Sequence, residues 1–297
     1  LAYIDRLMYA RSMGGDWYNE TMTSSGLGSP IFEEVYEMIY RWINELRIVP
    51  TLAARQALSS DTGSGVTRAD MHLFAKGNLG LITAGRWAVM HFRLVGPTNL
   101  SVCEIPYAEF RNTLMMSGVG AVYAGSKHKE LAYYFMKFYA SEKYNRQIIE
   151  NGDGLPPVPR FAKTEAFSRP PKHPNEWGIH DRILKMATEI AIPVSSSLYV
   201  LDSFSRRQED SSFDKAIAGR TSVKEALKLA ARMVNDDIVR KVSESSKLRL
   251  GYEQGLEDQK EIERLRRGGE LVPLGLITNP FYRRYYVEKG WSLPEGS

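Results

Sequence analysis

The sequence contains little that could build a disulfide, a metal site or a membrane span. Cys103 is the only cysteine among 297 residues, which excludes an intramolecular disulfide and a cysteine-built zinc site. The five histidines show no pair at metal-ligand spacing, so we expect them at the surface or as helix caps, with no metal or other cofactor. No stretch approaches the ~18 apolar residues of a membrane span, and no signal peptide opens the chain. Because the first residue is Leu1, we expect a processed or shortened chain.

Motifs for bond chemistry are also missing. In the segment Gly120–Lys127 serine precedes lysine, the reverse of the order in a phosphate-binding loop, which excludes a nucleotide site of that type. No Gly-x-Ser-x-Gly elbow occurs. The acidic pairs at Glu33–Glu34 and Asp236–Asp237 are sequence neighbours on predicted helices, so their side chains point apart. We therefore expect a protein that is not an enzyme.

Charge gives no sign of a nucleic-acid partner. The net charge is +4 and the sequence pI is near 9.0, but basic residues are interspersed with acidic ones along most of the chain. This distribution is typical of a solvated protein surface.

The most informative segment is the run Met71–Phe92. It predicts a short helix that ends at Gly77, a buried strand over Leu79–Thr83, and a second helix that carries Trp87 at its start. Open α/β sheets bind small ligands just beyond the ends of their strands. Trp87 is therefore the first candidate ligand contact.

Several helices are marked by their first residues. Ser29 and Pro30 open one helix, and Ser222 with Glu225 forms a capping box for another. A helix is also predicted from Ser126, with leucine and phenylalanine side chains along one face, and a further one ends at Gly152. Strands are predicted over 100–106, where Cys103 would be a small buried residue, and over 115–123.

Three segments share their order and spacing with one protein family. The first is Phe74–Gly77, then an apolar strand, then Gly-x-Trp at Gly85–Trp87. The second is an apolar strand, a helix that begins with Ser126–Lys127, and a glycine and proline turn at Glu150–Pro159. The third is Ala216–Ile238, a helix that follows a Gly-basic-x-Ser pattern. Together they resemble the extracellular solute-binding proteins of ABC importers, of the maltose-binding-protein type.

The resemblance covers residues 1–242 and corresponds to about the second half of a family member. It implies an α/β fold of the periplasmic-binding-protein type II, in which two lobes hold the ligand in the cleft between them. It assigns 1–112 to the second lobe, 113–165 to the first lobe, and 166–242 to a crossing segment and second-lobe helices. The N-terminal half of the first lobe is then missing, so a second chain or the missing half would complete that lobe.

The resemblance also implies positions for ligand contacts. Trp87 would stack on the apolar face of a sugar ring, while Ser117 and Gly118 lie in a turn where backbone amides can reach hydroxyls. Arg206 stands where related maltose binders place tryptophan, which implies a changed specificity. Trp17 is a further candidate ligand contact, although a structural role for it is at least as well supported. The remaining candidates are Met116, Tyr123, Tyr199 and Phe204.

The tail, residues 243–297, is unlike the family pattern. It predicts a charged helix that ends at Gly268 and Gly269, followed by a segment rich in proline and aromatic residues. Arginines interleaved with tyrosines near its end could stack on nucleic-acid bases. We instead expect the tail to lay its aromatic side chains on its own lobe.

These interpretations predict an extracytoplasmic protein, with a lipoprotein form left open, that binds a carbohydrate and delivers it to an ABC permease. Closure of two lobes around the ligand would drive binding. A non-sugar solute such as a peptide or a polyamine is the first alternative. A carbohydrate-processing enzyme, with two carboxylates facing each other across the pocket, is the second. A docking module that captures a partner through its aromatic tail is the third.

Overall fold

Helices make up most of the regular structure in the computed structural model, which describes residues 5–51, 53–54, 57, 66–95, 99–116, 118 and 120–294. Strands β1 (Thr113–Met115) and β2 (Ala191–Pro193) pair in a two-stranded sheet. Short turns of other helix types lie at Arg41–Glu45, Pro159–Lys163, Pro174–Glu176 and Leu274–Leu276. The α-helices are α1 (Arg6–Ser12), α2 (Pro30–Tyr40), α3 (Val66–Ala75), α4 (Ala88–Val95), α5 (Lys129–Tyr139), α6 (Glu142–Asn151), α7 (Glu165–Ser168), α8 (Ile179–Glu189), α9 (Asp202–Ile217), α10 (Val223–Ser243), α11 (Ser246–Gly268) and α12 (Pro280–Lys289).

The chain divides into two units. The larger unit contains Asp5–Ile48, Pro106–Leu114 and Ile192–Ser297, and the smaller unit contains Val49–Ile105 and Met115–Ala191. Residues 49–105 thus group with the later segment 115–191, whereas the sequence assignment kept 1–112 together. The assignment of segments to the lobes of a complete fold stays a prediction.

The tail supplies much of the core of the larger unit. The rings of Phe110 and Phe281 meet edge to face, with 5.6 Å between their centroids. Arg283 donates a hydrogen bond to the carbonyl oxygen of Leu274 at 2.9 Å. The tail thus packs its aromatic side chains into the core of the larger unit, and Tyr285 and Tyr286, two of the tyrosines considered for base stacking, are buried there. Its buried members are Phe110, Ile192, Ile262, Leu265, Val272, Leu274, Ile277, Phe281, Tyr285 and Tyr286.

A buried polar network joins the tail to the start of the chain. The Asn279 amide nitrogen donates to Asp16 at 2.7 Å, and its amide oxygen accepts from the Ser195 hydroxyl at 2.9 Å. Arg11 donates to Asp16 at 2.8 Å and to Ser195 at 3.0 Å. All four side chains are buried, so each charge and donor is matched inside the protein rather than by water.

Two modest apolar cores are seen among the described residues of the smaller unit. One joins α3 to α4 through Met71, Ala88 and Phe92, and the other contains Ile149, Phe161, Ala162 and Phe167. Helix α5 buries none of its residues. Four of its large side chains are 58 to 66% exposed, namely Leu131, Tyr133, Tyr134 and Phe135.

Helix boundaries agree well with the sequence signals. Gly77 and Gly152 adopt the left-handed conformation, with φ of +76° and +73°, at the ends of α3 and α6. Ser222 caps α10 by accepting from the amide of Glu225 at 3.2 Å, while its hydroxyl donates to the Glu225 carboxylate at 2.9 Å. These ends are set within one turn of the chain, which is why local residue types predict them.

The strand predictions are wrong in the described residues. Residues 79–83 show no more than a single bridge at Ile82, and Leu81 is exposed. Residues 100–106 form neither helix nor strand, and Cys103 is exposed instead of buried. In place of the strand over 115–123, the structure has Thr113–Met115. A strand exists only when a second segment pairs with it, and apolar runs cannot supply that partner.

Across the part of the chain that the structure describes, no helix combines the length and the apolar character that a bilayer crossing requires.

Candidate functional site

Trp87 lies in the turn that leads into α4 and is 38% exposed. The turn closes through hydrogen bonds from the amide of Ala88 to the carbonyl of Gly85 and from Val89 to Arg86, at 3.0 and 2.9 Å. The indole meets the ring of His91, one helical turn later, edge to face with 5.9 Å between centroids. An aromatic surface of this kind, held at a helix start and open to solvent, suits stacking against an apolar ligand face.

The buried side chain of Arg86 anchors this turn to the interior of the smaller unit. Its guanidinium lies 4.7 Å over the ring of Phe167, and one amino group donates to the carbonyl oxygens of Asp153 and Gly154. Its Nε donates to Nδ1 of His180 at 3.2 Å. Burial, and next the charge of Arg93, lower the pKa of Arg86 to about 10, so it remains a cation at neutral pH.

A second arginine reaches the same cluster from the far end of α4. Arg93 forms a bidentate ion pair with Glu176 at 2.7 and 2.8 Å, and Nε2 of His180 lies 3.0 Å from the same carboxylate. Burial raises the pKa of Glu176, but hydrogen bonds from Arg93 and His180 outweigh it and bring the pKa to about 2. We call Arg86, His180, Glu176 and Arg93 the relay. His180 is fully buried, which corrects its expected place at the surface.

The other candidates of the smaller unit follow β1. Met116, Gly118 and Tyr123 are all exposed, and a Cβ built on Gly118 would meet nothing within 4 Å. Ser117 lies outside the described residues. Whether these residues contact a ligand together with Trp87 stays a prediction.

In the larger unit, Trp17 and Arg206 stack on each other. The Arg206 guanidinium carbon is 4.9 Å from the Trp17 ring centroid, and Arg206 is exposed while Trp17 is only 7% exposed. Nε1 of Trp17 is buried and has no hydrogen-bond partner among the described residues. The buried ring of Trp17 therefore holds Arg206 by stacking, and the exposed guanidinium is the group that a ligand would contact.

Tyr199 and Phe204 are less available than the sequence implied. Tyr199 is buried and packs edge to face on Tyr252 of the tail helix α11, with 5.2 Å between centroids. Burial raises the pKa of its hydroxyl. Phe204 is half-buried on α9. No sequence pattern signalled the contact with Tyr252, because it joins residues far apart in the chain.

An open groove of about 660 Å³ runs along α9 beside Arg206. Asp210, one of its two carboxylates, is already bound by Arg6. The groove therefore carries an excess of positive charge, which suits hydrogen-bonding or anionic groups. Its lining residues are Ser203, Arg206, Arg207, Asp210, Ser211, Asp214, Lys215 and Arg220.

Among the described residues, no three histidine, cysteine or acidic side chains are placed to hold a metal ion.

Comparison with known proteins identifies the fold. No protein-family profile and no curated protein matches the chain. Solved structures do match. An ABC transporter solute-binding protein from Thermotoga lettingae, bound with alpha-D-tagatose, is 16% identical, with a TM-score of 0.61 over 78% of this chain and 55% of its own. An ABC substrate-binding protein from Listeria monocytogenes, in complex with cycloalternan, is 18% identical, with a TM-score of 0.55 over 79% of this chain and 57% of its own.

A third structure agrees with these two. The maltose/maltodextrin-binding domain MalE from Bdellovibrio bacteriovorus, bound to maltotriose, is 14% identical, with a TM-score of 0.59 over 79% of this chain and 57% of its own. The chain thus has the α/β fold of type II periplasmic-binding-protein solute binders, which confirms the predicted fold class. It spans little more than half the length of these structures.

Proposed function

We propose that the protein binds a carbohydrate outside the cytoplasm and presents it to an ABC permease. The observation that carries this proposal is the fold shared with three solute-binding proteins, each of them bound to a sugar. An exposed indole at a helix start supports it from within the chain, since flat aromatic rings bind the apolar faces of sugars.

We assign the ligand contacts of the smaller unit to Trp87, Met116, Gly118 and Tyr123, with Ser117 beside them in sequence. In the larger unit, Arg206 would donate hydrogen bonds to ligand oxygens while Trp17 fixes its position by stacking. Phe204, which is half-buried, would contribute through its exposed edge, and the buried Tyr199 through the packing that holds the neighbouring loop.

Two alternatives fit the structure less well. A polyamine would need an acidic surface, whereas the groove beside Arg206 carries more cations than anions. A glycoside-processing enzyme needs a carboxylic acid that stays protonated near neutral pH. Glu176, in the relay beneath Trp87, has a pKa of about 2 and is bound by Arg93 and His180, so it does not provide that acid.

The exposed face of α5 supports a partner that completes the smaller unit. A helix with a stripe of large apolar residues is stable when the stripe is covered, and this one buries no residue. The matching structures are nearly twice as long as the part that this chain spans. We propose that polypeptide corresponding to their remaining half, in the same chain or a second one, covers Leu131, Tyr134 and Phe135.

Hydrogen exchange tests this proposal. The amides of α5 should exchange more slowly in the protein isolated from its host than in residues 1–297 alone.

A thermal-shift screen tests the carbohydrate proposal. D-Tagatose, maltotriose, cycloalternan and a set of other mono- and oligosaccharides are added to the wild type, to Trp87→Ala and to Trp177→Ala. Trp177 is a matched control because it is exposed in the same unit but outside the assigned contacts. We expect one sugar to raise the Tm of the wild type and of Trp177→Ala, and to raise it less in Trp87→Ala. An equal shift in Trp87→Ala would contradict the assignment of Trp87.

A further inference from the structure

The turn of Trp87 sends two consecutive side chains to opposite environments. The indole of Trp87 is exposed, whereas the guanidinium of Arg86 is buried among Phe167, His180 and the carbonyl oxygens of residues 153 and 154. The hydrogen bonds from the amide of Ala88 to the carbonyl of Gly85 and from Val89 to Arg86 close the turn around Trp87, so anchoring the side chain of Arg86 restrains the same turn. The direction of the indole is therefore coupled to the bonds that Arg86 makes.

His180 bridges Arg86 and Glu176 through its two ring nitrogens. Its Nδ1 accepts a hydrogen bond from Arg86, so the ring proton is carried by Nε2, which donates to the Glu176 carboxylate. The charged and polar groups that face this ring or its two partners are Arg86, Arg93, Asp153, His173 and Glu176.

The relay holds the Trp87 segment at two points. Arg86 precedes α4 and binds His180, while Arg93 lies near the end of α4 and binds Glu176. His180 and Glu176 are themselves joined, so one buried cluster fixes both the turn and the helix that follows it. Well-packed apolar side chains could fill such a space without the cost of desolvating four charged or polar groups. Directional hydrogen bonds add what apolar packing lacks, which is a defined orientation.

We propose that Arg86 and His180 are positioning residues that orient the Trp87 indole for ligand binding. This inference rests on the proposed function for its consequence, while its structural part concerns the indole alone. Loss of the Arg86–His180 bond leaves Trp87 present but lets the turn relax, so the ring is no longer held in a single direction.

Fluorine NMR of protein labelled with 5-fluorotryptophan tests the structural part without any ligand. The chain has five tryptophans, and the Trp87 signal is identified by its loss in Trp87→Phe. We expect Arg86→Gln and His180→Gln to shift or broaden the Trp87 signal. In Arg86→Lys, which retains the charge, the signal should lie closer to its wild-type position. A Trp87 signal at its wild-type position in folded Arg86→Gln would overturn the proposal. If Arg86→Gln does not fold, Arg86→Lys and His180→Gln decide in the same way.

Arg169→Gln is the matched control. Its guanidinium carbon lies 5.9 Å from the ring centroid of Trp177, in the same unit but outside the relay. We expect this variant to move the signal of Trp177 and to leave that of Trp87 in place. Movement of the Trp87 signal by Arg169→Gln as large as that by Arg86→Gln would show a general disturbance and overturn the inference.

Affinity separates this inference from the proposed function. For a sugar that binds the wild type, Arg86→Gln should weaken binding about five- to tenfold, the loss expected when an aromatic contact is misaligned. If the Trp87 signal moves but no sugar binds the wild type, the positioning role stands and the carbohydrate proposal fails. If a sugar binds and Trp87→Ala weakens it while Arg86→Gln changes neither signal nor affinity, the carbohydrate proposal stands and the positioning role fails.

Discussion

Gly85 lies directly against the indole of Trp87. A Cβ built on Gly85 would come within 2.7 Å of both Cδ1 and Nε1 of that ring, closer than any side chain can approach without movement. A side chain at position 85 could therefore be accommodated only by movement of the ring two residues later.

Gly85→Ala should displace the indole and weaken sugar binding about fivefold, as misalignment of an aromatic contact does. The emission maximum of tryptophan fluorescence should shift in the free protein, and titration calorimetry should report the lower affinity. Gly80→Ala is the control, since a Cβ at Gly80 would meet nothing within 4 Å. Equal behaviour of the two variants would contradict the contact.

Glu176 should make the smaller unit sensitive to acid. Its pKa in the folded protein is about 2, against an ordinary value of 4.5, so the folded state favours the ionised carboxylate. The resulting stabilisation, up to about 3 kcal/mol, is fully present above pH 4.5 and is lost as the pH falls towards 2. The difference in free energy of unfolding between wild type and Glu176→Gln, measured in urea, should shrink over that range.

Glu142→Gln provides the comparison for this pH series. Glu142 forms an exposed ion pair with Arg146, which contributes at most about 1 kcal/mol. We expect its effect on unfolding to be small at every pH. A Glu176→Gln effect that stays constant from neutral to acid pH would show that Glu176 acts by packing rather than by charge.

Local signals predicted the helices well and the strands poorly. The caps at Ser222 and Gly152 are decided by neighbouring residues, whereas the run Leu79–Thr83 depends on a pairing segment that the run itself does not specify. The same reason explains the candidate site. Trp87 was predicted from its place at the start of a helix, just past a strand that residues 79–83 do not form. The relay joins Arg86 to residues about ninety positions later, and only the fold brings them together.

Phe281→Ala should destabilise the larger unit by about 3–5 kcal/mol, because the ring is fully buried against Phe110 and Tyr285. Val287→Ala, on the same helix but exposed, should change stability by less than about 0.5 kcal/mol. Urea unfolding followed by circular dichroism measures both. A small effect of Phe281→Ala would mean that the tail is dispensable, as the docking-module alternative requires.

Asp16→Asn should lower the free energy of unfolding by about 3–5 kcal/mol, because it leaves the buried guanidinium of Arg11 without its anion. The exposed pair of Arg41 and Glu45 offers the contrast, and Glu45→Gln should cost less than about 0.5 kcal/mol. Chemical denaturation of the two variants beside the wild type would show the difference. Comparable midpoints for both would rule out a structural role for the buried pair.

The hydrogen bond between Asn279 and Asp16 spans 263 positions of the chain. Since the ribosome releases the chain from its first residue onward, Arg11 and Asp16 emerge long before the amide that completes their network. The polar network of the larger unit therefore cannot be complete until residue 279 has emerged, whereas residues 49–105 and 115–191 of the smaller unit emerge earlier. During that interval Arg11 and Asp16 lack the amide of Asn279, so the network that buries their charges forms only after the residues of the smaller unit have left the ribosome.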